Sequence, residues 1–106
     1  MAIRYQIVYW RDIPAQIKIK EGRQRKGQPL SDRFTQGIDQ AAMLAGLIGS
    51  DDYLAQWRTT PWQEYEGDAE TLAKTLAAEL EEAYPPARLK AMVNNGGFED
   101  AESDPF

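Results

Sequence analysis

Apolar and polar residues alternate along most of the first twenty positions, with the period of two that is typical of β-strands. The first run has an apolar series of alternate positions, Ile3, Tyr5, Ile7 and Tyr9, and a mixed series between them, Arg4, Gln6, Val8 and Trp10. Because half of the second series is apolar, we expect a central strand covered on part of both faces. After a break at 12–14, a second run predicts a strand with one basic, solvated face: Ala15, Ile17 and Ile19 against Gln16, Lys18 and Lys20.

The period then changes from that of a strand to that of a helix. Residues 21–28 include two glycines and no apolar side chain, which indicates a loop. Ser31 or Asp32 is expected to cap a helix that ends at Gly49. The apolar face of this helix is expected to comprise Phe34, Ile38, Ala41, Ala42, Ala45 and Ile48, widened by Met43 and Leu47.

The second half of the chain predicts three helices and one strand. Residues 50–52 are expected to start a short helix, whose apolar residues are Tyr53, Leu54 and Trp57. A third strand is predicted over 59–66, although Pro61 weakens its start. A helix capped by 67–68 then shows an apolar stripe and ends at Pro85, and a last short helix covers 87–93 after Pro86. The stripe is Leu72, Leu76, Leu80 and Tyr84.

The predicted element order is β-β-α-α-β-α-α, which favours the α+β class. We expect a two-layer sandwich, in which helices pack on one face of a small antiparallel or mixed sheet of three strands. A chain of 106 residues is the size of one domain. We place this domain at 1–98 and expect the acidic remainder, 99–106, to be a disordered tail.

The chain has neither cysteine nor histidine, which excludes many kinds of site. Disulfides, thiol nucleophiles, thiolate or imidazole metal ligands and imidazole-based triads are all ruled out. We therefore expect no metal and no cofactor. The chain runs from Met1 directly into a strand pattern, and its longest apolar run, 41–45, is far too short to span a membrane, so we expect a cytoplasmic protein without a signal peptide.

Charge is distributed unevenly along the chain. Residues 1–33 include eight basic and three acidic side chains, a net +5, and the rest therefore has −10 because the total is −5. This asymmetry predicts one anion-binding end. The acidic total argues against nucleic acid as a partner.

Two groups of residues are candidates for a binding surface. The first is a basic run after the predicted turn, with a possible role in binding a phosphate or carboxylate: Lys18, Lys20, Arg23, Arg25 and Lys26. Its structural alternative is an edge strand protected by cations, followed by a solvated loop. The second group is a recognition corner of Trp10, Arg11 and Asp12; alternatively, Asp12 bonds within the turn and Arg11 covers the indole ring.

Other side chains are weaker candidates. Trp57 and Trp62 either line a pocket or belong to the core. Glu64 and Glu66 would share one face of a strand and could together bind a hard cation, but without further ligands a solvated face is the simpler interpretation. Asp51 and Asp52 are explained by the favourable charge at a helix start.

Four motifs resemble a family of short bacterial proteins described as virulence factor domain proteins. They are Tyr9-Trp10-Arg11-Asp12-Ile13-Pro14-Ala15-Gln16, the helix with Phe34, Ile38, Asp39, Ala41 and Ala42, then Asp52-Tyr53-Leu54 with Trp57, and Arg88-Leu89-Lys90 with Asn95-Gly96-Gly97. The same domain is associated with a larger conserved virulence factor protein. The family has no established active site, so the resemblance assigns no functional residues, and it implies an accessory role near folate- and corrinoid-dependent methyl-transfer enzymes.

Two functions follow as hypotheses. The first is a noncatalytic accessory or interaction module, which docks an acidic protein partner or an anionic ligand through the corner at 9–16 and the neighbouring basic strand and loop. The alternative is a small enzyme or enzyme subunit in folate- or corrinoid-linked methyl transfer, acting on an anionic small molecule with Asp12, Glu64 or a tyrosine as acid or base.

Overall fold

The computed structural model describes residues 2–99, and it confirms the predicted α+β class. These residues form five strands and four helices: β1 (Ala2–Trp10), β2 (Ile13–Glu21), β3 (Gln24–Pro29), α1 (Asp32–Leu44), α2 (Asp51–Ala55), β4 (Trp57–Thr59), β5 (Gln63–Glu66), α3 (Ala69–Ala83) and α4 (Pro86–Asn94). The predicted tail lies outside the described residues from position 100 onward, so the domain boundary at 98 stays a prediction. In the described part of the chain, no helix is long and apolar enough to cross a membrane.

All strand pairs are antiparallel, and β1 is central as its sequence predicts. The strand order is β3-β2-β1-β4, and β5 pairs with the first half of β1. In the β1–β2 ladder Ile7 lies opposite Ile17, and Gln6 lies opposite Lys18. Residues that lie directly opposite each other share a face of the sheet. The sheet therefore has one apolar face and one polar face.

The helices cover the apolar face. Helices α1 and α3 pack against β2, and α4 packs against α1. The buried residues that join the two layers include Ile3, Ile17, Ile19, Phe34, Ile38, Leu72, Leu89 and Met92. The opposite face, which we call the open face, includes Lys18 and Lys20.

Strand β3 occupies most of a segment that the sequence predicts to be a loop. All six of its residues are exposed or half-buried, so no apolar alternation marks it. Gly22 has a φ of 60°, a conformation that glycine adopts without strain in a two-residue turn, and this turn returns the chain along β2. An edge strand pairs on one side only, and therefore it can form without any buried side chain.

Two further predictions need correction. The strand predicted over 59–66 is two short strands, separated near Pro61, which has no N–H to donate to a ladder. Helix α1 ends at Leu44 rather than near Gly49, and Met43 and Ile48, both predicted to be apolar-face residues, are exposed. The positive φ of Gly46, 74°, falls in the turn that follows the helix.

The ladder between β1 and β2 is irregular near the end of β1. Val8 pairs with Gln16 and Tyr9 pairs with Pro14, so Ala15 has no partner in the ladder. Beyond this irregularity Trp10 joins the same buried cluster as Ile3. Unbroken alternation would place Trp10 on the opposite face of β1 from Ile3. The extra residue lies in β2, and β1 itself pairs with β4 in regular register from Val8 to Trp10.

Ser31 begins α1 as predicted, but its side chain binds to α3 instead of capping its own helix. The Ser31 backbone N–H donates to Glu81 Oε2 at 2.7 Å, and its hydroxyl donates to Glu81 Oε1 at 2.9 Å. The Arg33 guanidinium donates to the same carboxylate at 2.7 Å and to the backbone oxygens of Glu81 and Tyr84. This network joins the start of α1 to the end of α3.

The carboxylate of Glu81 should make the protein less stable in acid. Desolvation alone would raise its pKa, but the hydrogen bonds from Ser31 and the charge of Arg33 outweigh this effect and lower the pKa from its ordinary 4.5. The stabilisation is present above 4.5, and it is lost as the pH falls through the lowered value. We expect Glu81→Gln to reduce the free energy of unfolding by about 1–3 kcal/mol at pH 7 and to reduce the loss of stability between pH 5 and pH 3, measured by urea unfolding.

The matched control is Glu79→Gln on the same helix, because Glu79 is an exposed carboxylate. This substitution should leave the free energy of unfolding at pH 7 unchanged. Parallel stability profiles for Glu81→Gln and the unchanged protein would contradict the assignment.

Candidate functional site

Trp10 lies at the centre of the predicted recognition corner and is fully buried, with an exposed fraction of 0%. Its indole N–H donates to the backbone oxygen of Tyr53 at 3.0 Å, and its ring packs on the Tyr53 ring at a centroid distance of 5.7 Å. A Cβ added at Gly97 would lie 2.9 Å from Trp10 Cζ3. The tryptophan thus holds α2 and the segment after α4 against the end of β1.

Arg11 is enclosed by the same elements. Its guanidinium carbon lies 5.2 Å from the ring centre of Trp10 and 4.5 Å from that of Phe98. Its Nε donates to the side-chain oxygen of Gln56 and its Nη1 to the backbone oxygen of Gly96. The φ of Arg11 is 53°, in the left-handed region that non-glycine residues seldom occupy. These contacts hold the strained backbone in place.

Asp12 also bonds within the fold. Its carboxylate pairs with Arg58 at 3.3 Å and accepts the backbone N–H of Glu99 at 2.8 Å. Arg58 also donates to the backbone oxygen of Arg11 and lies over the ring of Tyr9. Trp10, Arg11 and Asp12 thus form a structural junction, in which Trp10 is fully buried while the side chains of Asp12 and Arg58 stay partly exposed.

The basic run has a different environment, because part of it lies on the open face. Lys20 is opposite Arg4 in β1 and opposite Arg25 in β3. Since opposite residues share a face, these three cations lie side by side across three strands. We call them the basic row. Glu64 continues the row on the far side of Arg4, as the ladder partner of that arginine.

The other basic residues are placed differently. Lys18 lies on the open face next to the row, opposite Gln6 and Gly27. Arg23 occupies the turn between β2 and β3 and is exposed. Lys26 lies opposite the buried Ile19 and hence faces the helical layer.

Lys26 is close enough to α3 to interact with a carboxylate there. Hydrogen bonds from the backbone and hydroxyl of Thr71 lower the pKa of Asp68, and the positive charges of Lys26 and Lys74 lower it further. Lys26 is therefore the member of the basic run that faces an acidic group of the helical layer. It does not belong to the open face.

Two shallow depressions on the open face meet at Lys18 and Gln16. One, of about 230 Å³, also includes Gln6, Arg25 and Trp62 in its lining. The other, of about 430 Å³, also includes Val8, Trp57 and Arg58. Trp57 and Trp62 are 36% and 40% exposed, so neither is a core residue. The open face thus combines cations, side-chain amides and two aromatic edges.

Sequence reasoning did not include Arg4 among the candidates, although it belongs to the polar series of the first strand. Its place beside Lys20 depends on the register of the β1–β2 ladder. Glu64 and Glu66, which were considered as a cation site, are exposed. Within residues 2–99, no three or more acidic side chains are grouped closely enough to hold a metal ion.

A comparison with known protein families finds a match over most of the chain. The model of the virulence factor family matches residues 8–93. The chain belongs to the virulence factor family. No curated protein and no solved structure matches it.

In this member of the virulence factor family the matched region includes the junction at Trp10–Asp12, β2, β3 and all four helices up to Val93. It also includes Lys18, Lys20 and Arg25. Gly96 and Gly97, which close over the junction, lie just beyond it.

The close approach of Gly97 to Trp10 can be tested by comparing two glycines. Gly97→Ala should lower the free energy of unfolding by about 2–4 kcal/mol, because the added Cβ meets the indole ring and the φ of 97° disfavours a side chain. Gly46→Ala has a φ of 74° but open space around it, so it should cost about 1 kcal/mol. Urea unfolding of both variants measures the difference, and equal losses would show that the contact with Trp10 is unimportant.

Proposed function

We propose that this protein is a noncatalytic interaction module that docks an acidic segment of a partner protein on the open face. The surface is narrower than the one predicted from the sequence. It consists of the basic row together with Lys18 and Trp62, and it leaves out the buried Trp10 and the internally bonded Arg11.

The observation that carries the proposal is the lack of ion pairs in the row, although Glu64 lies opposite Arg4 in the ladder. Among residues 2–99, no carboxylate oxygen lies within 4.0 Å of a charged nitrogen of Arg4, Lys20 or Arg25. Like charges directly opposite each other in a sheet cost about 0.2–1 kcal/mol per pair. Lys20, which lies between Arg4 and Arg25, therefore lowers the stability of the fold, and an anionic partner placed over it would relieve this repulsion.

The surrounding side chains suit the same partner. Gln16 and Lys18 can donate to carboxylates from the floor of both depressions. Charge-assisted hydrogen bonds of this kind are shorter and stronger than neutral ones. Trp62, at the rim, can cover the apolar part of a bound segment.

The length of the row favours a partner with several carboxylates over a single small anion. Neighbouring strands are about 4.8 Å apart, so Arg4 and Arg25 are separated by roughly 10 Å across the sheet. One phosphate or carboxylate group is too small to contact both ends. An acidic peptide segment can.

Neutralising the middle of the row should affect stability and binding in opposite directions. We expect Lys20→Gln to raise the free energy of unfolding by about 0.5 kcal/mol, because two like-charge contacts are removed. The same change should weaken the binding of a glutamate-rich synthetic peptide by about threefold to tenfold. Urea unfolding and isothermal titration calorimetry at 50 mM and 200 mM salt measure the two effects.

Lys74→Gln is the matched control, because Lys74 is on α3 and pairs with Glu70. It should leave peptide binding unchanged. Equal affinity of the peptide for Lys20→Gln and the unchanged protein would refute the proposed face. Tighter binding of inorganic phosphate or of a single-stranded oligonucleotide than of the peptide would replace the proposed partner with that ligand.

A further inference from the structure

Strand β3 has one free edge. Among residues 2–99 it is the outermost strand on its side of the sheet and pairs with β2 alone. Strands β2 and β3 are joined by a two-residue turn. The residues on either side of this turn, Glu21 and Gln24, lie directly opposite each other. The closing pair of such a hairpin is hydrogen-bonded, and the pairs beyond it alternate between bonded and non-bonded.

This alternation determines which backbone groups of β3 point outward. Gln24, Lys26 and Gln28 direct their backbone groups toward β2, whereas Arg25 and Gly27 direct theirs away from the sheet. Pro29 offers only a carbonyl oxygen. Two N–H groups and three carbonyl oxygens are therefore presented along the edge at alternate positions, and the third oxygen, that of Pro29, accepts the side-chain N–H of Gln28.

The charges on this edge decide which strand it can accept. Arg23, Arg25 and Lys26 are all exposed at or next to the edge. If a second copy of this chain paired through its own β3, these cations would be brought against one another, which disfavours pairing between copies. The same charges attract an acidic strand. The edge thus excludes its own copy and selects a partner of opposite charge.

We infer that β3 accepts an extended acidic segment of the partner protein as an additional strand of the sheet. This inference rests on the proposed function and specifies how the partner binds. Backbone hydrogen bonds to Arg25 and Gly27 would supply affinity. Acidic side chains on the open-face side of the added strand would reach Arg25 and then Lys20, its neighbour in the basic row.

A proline at position 27 separates backbone pairing from side-chain contacts. Gly27→Pro removes an outward N–H and no bond to β2, and proline is tolerated at such edge positions. Gly27→Ala is the matched control, because it keeps the N–H and its Cβ would meet only the flexible end of Gln16, at 3.3 Å. The probe is an acetylated and amidated synthetic peptide of four glutamate–valine repeats.

We expect Gly27→Pro to bind the peptide about tenfold more weakly than Gly27→Ala, which keeps the N–H and shares any loss caused by a side chain at this position. Circular dichroism and the melting temperature confirm that each variant is folded. In the unchanged protein, the peptide should slow hydrogen exchange at the amides of Arg25 and Gly27 but not at Lys26, whose N–H is already bonded to β2.

A peptide N-methylated at alternate residues gives a test that needs no protein variant. Its affinity for the unchanged protein should fall about tenfold in one of the two methylation registers. If neither the methylation nor Gly27→Pro weakens binding while Lys20→Gln does, the added strand is refuted and the proposed docking on the open face stands. If Lys20→Gln is also without effect on peptide binding, both the added strand and the docking on the open face are refuted. Self-association that Gly27→Pro abolishes would assign the edge to a second copy instead.

Discussion

The turn at Arg11 and Asp12 is the junction on which the rest of the structure depends. Its backbone is strained at Arg11, and it is kept in that conformation by groups from three distant parts of the chain: Gln56, Arg58 and Gly96. These contacts attach α2, β4 and the segment after α4 to the end of the hairpin of β1 and β2. Without them the helical layer would be joined to the sheet mainly through the apolar contacts of α1 and α3 with β2.

The sequence predicts the parts of the fold that have a period. The alternation of β2 and the helical stripe of α3 are both apolar patterns that burial requires, and the structure follows them. Strand β3 has no such pattern, because none of its side chains is buried, and it depends on pairing with β2 across a two-residue turn. Likewise, the apolar residues Leu47 and Ile48 favour a longer α1, whereas the helix stops at the earlier glycine, Gly46, instead of at Gly49.

The candidate site shows the same division. Lys18, Lys20 and Arg25 are recognised as a basic cluster from the sequence alone, but Arg4 joins them only through the register of β1 with β2. Lys26 follows Arg25 in the chain and lies on the other face of the sheet. This difference could not be predicted while the segment was interpreted as a loop, because a loop has no alternating faces. Trp10 and Arg11 were predicted to bind a partner because an aromatic residue and a cation are adjacent in the sequence. An aromatic residue beside a cation serves an internal junction as well as it serves a binding surface.

The basic row also has a consequence for how two molecules meet. The protein as a whole has a charge of −5, so at a distance it repels an acidic partner. At physiological salt, electrostatic forces fall off over about 8 Å, and a partner that comes within this distance of the open face interacts mainly with cations. Encounters from other directions are therefore unproductive. Added salt would reduce the general repulsion and weaken the local attraction at the same time, which gives the association rate a shallower dependence on ionic strength than the dissociation rate.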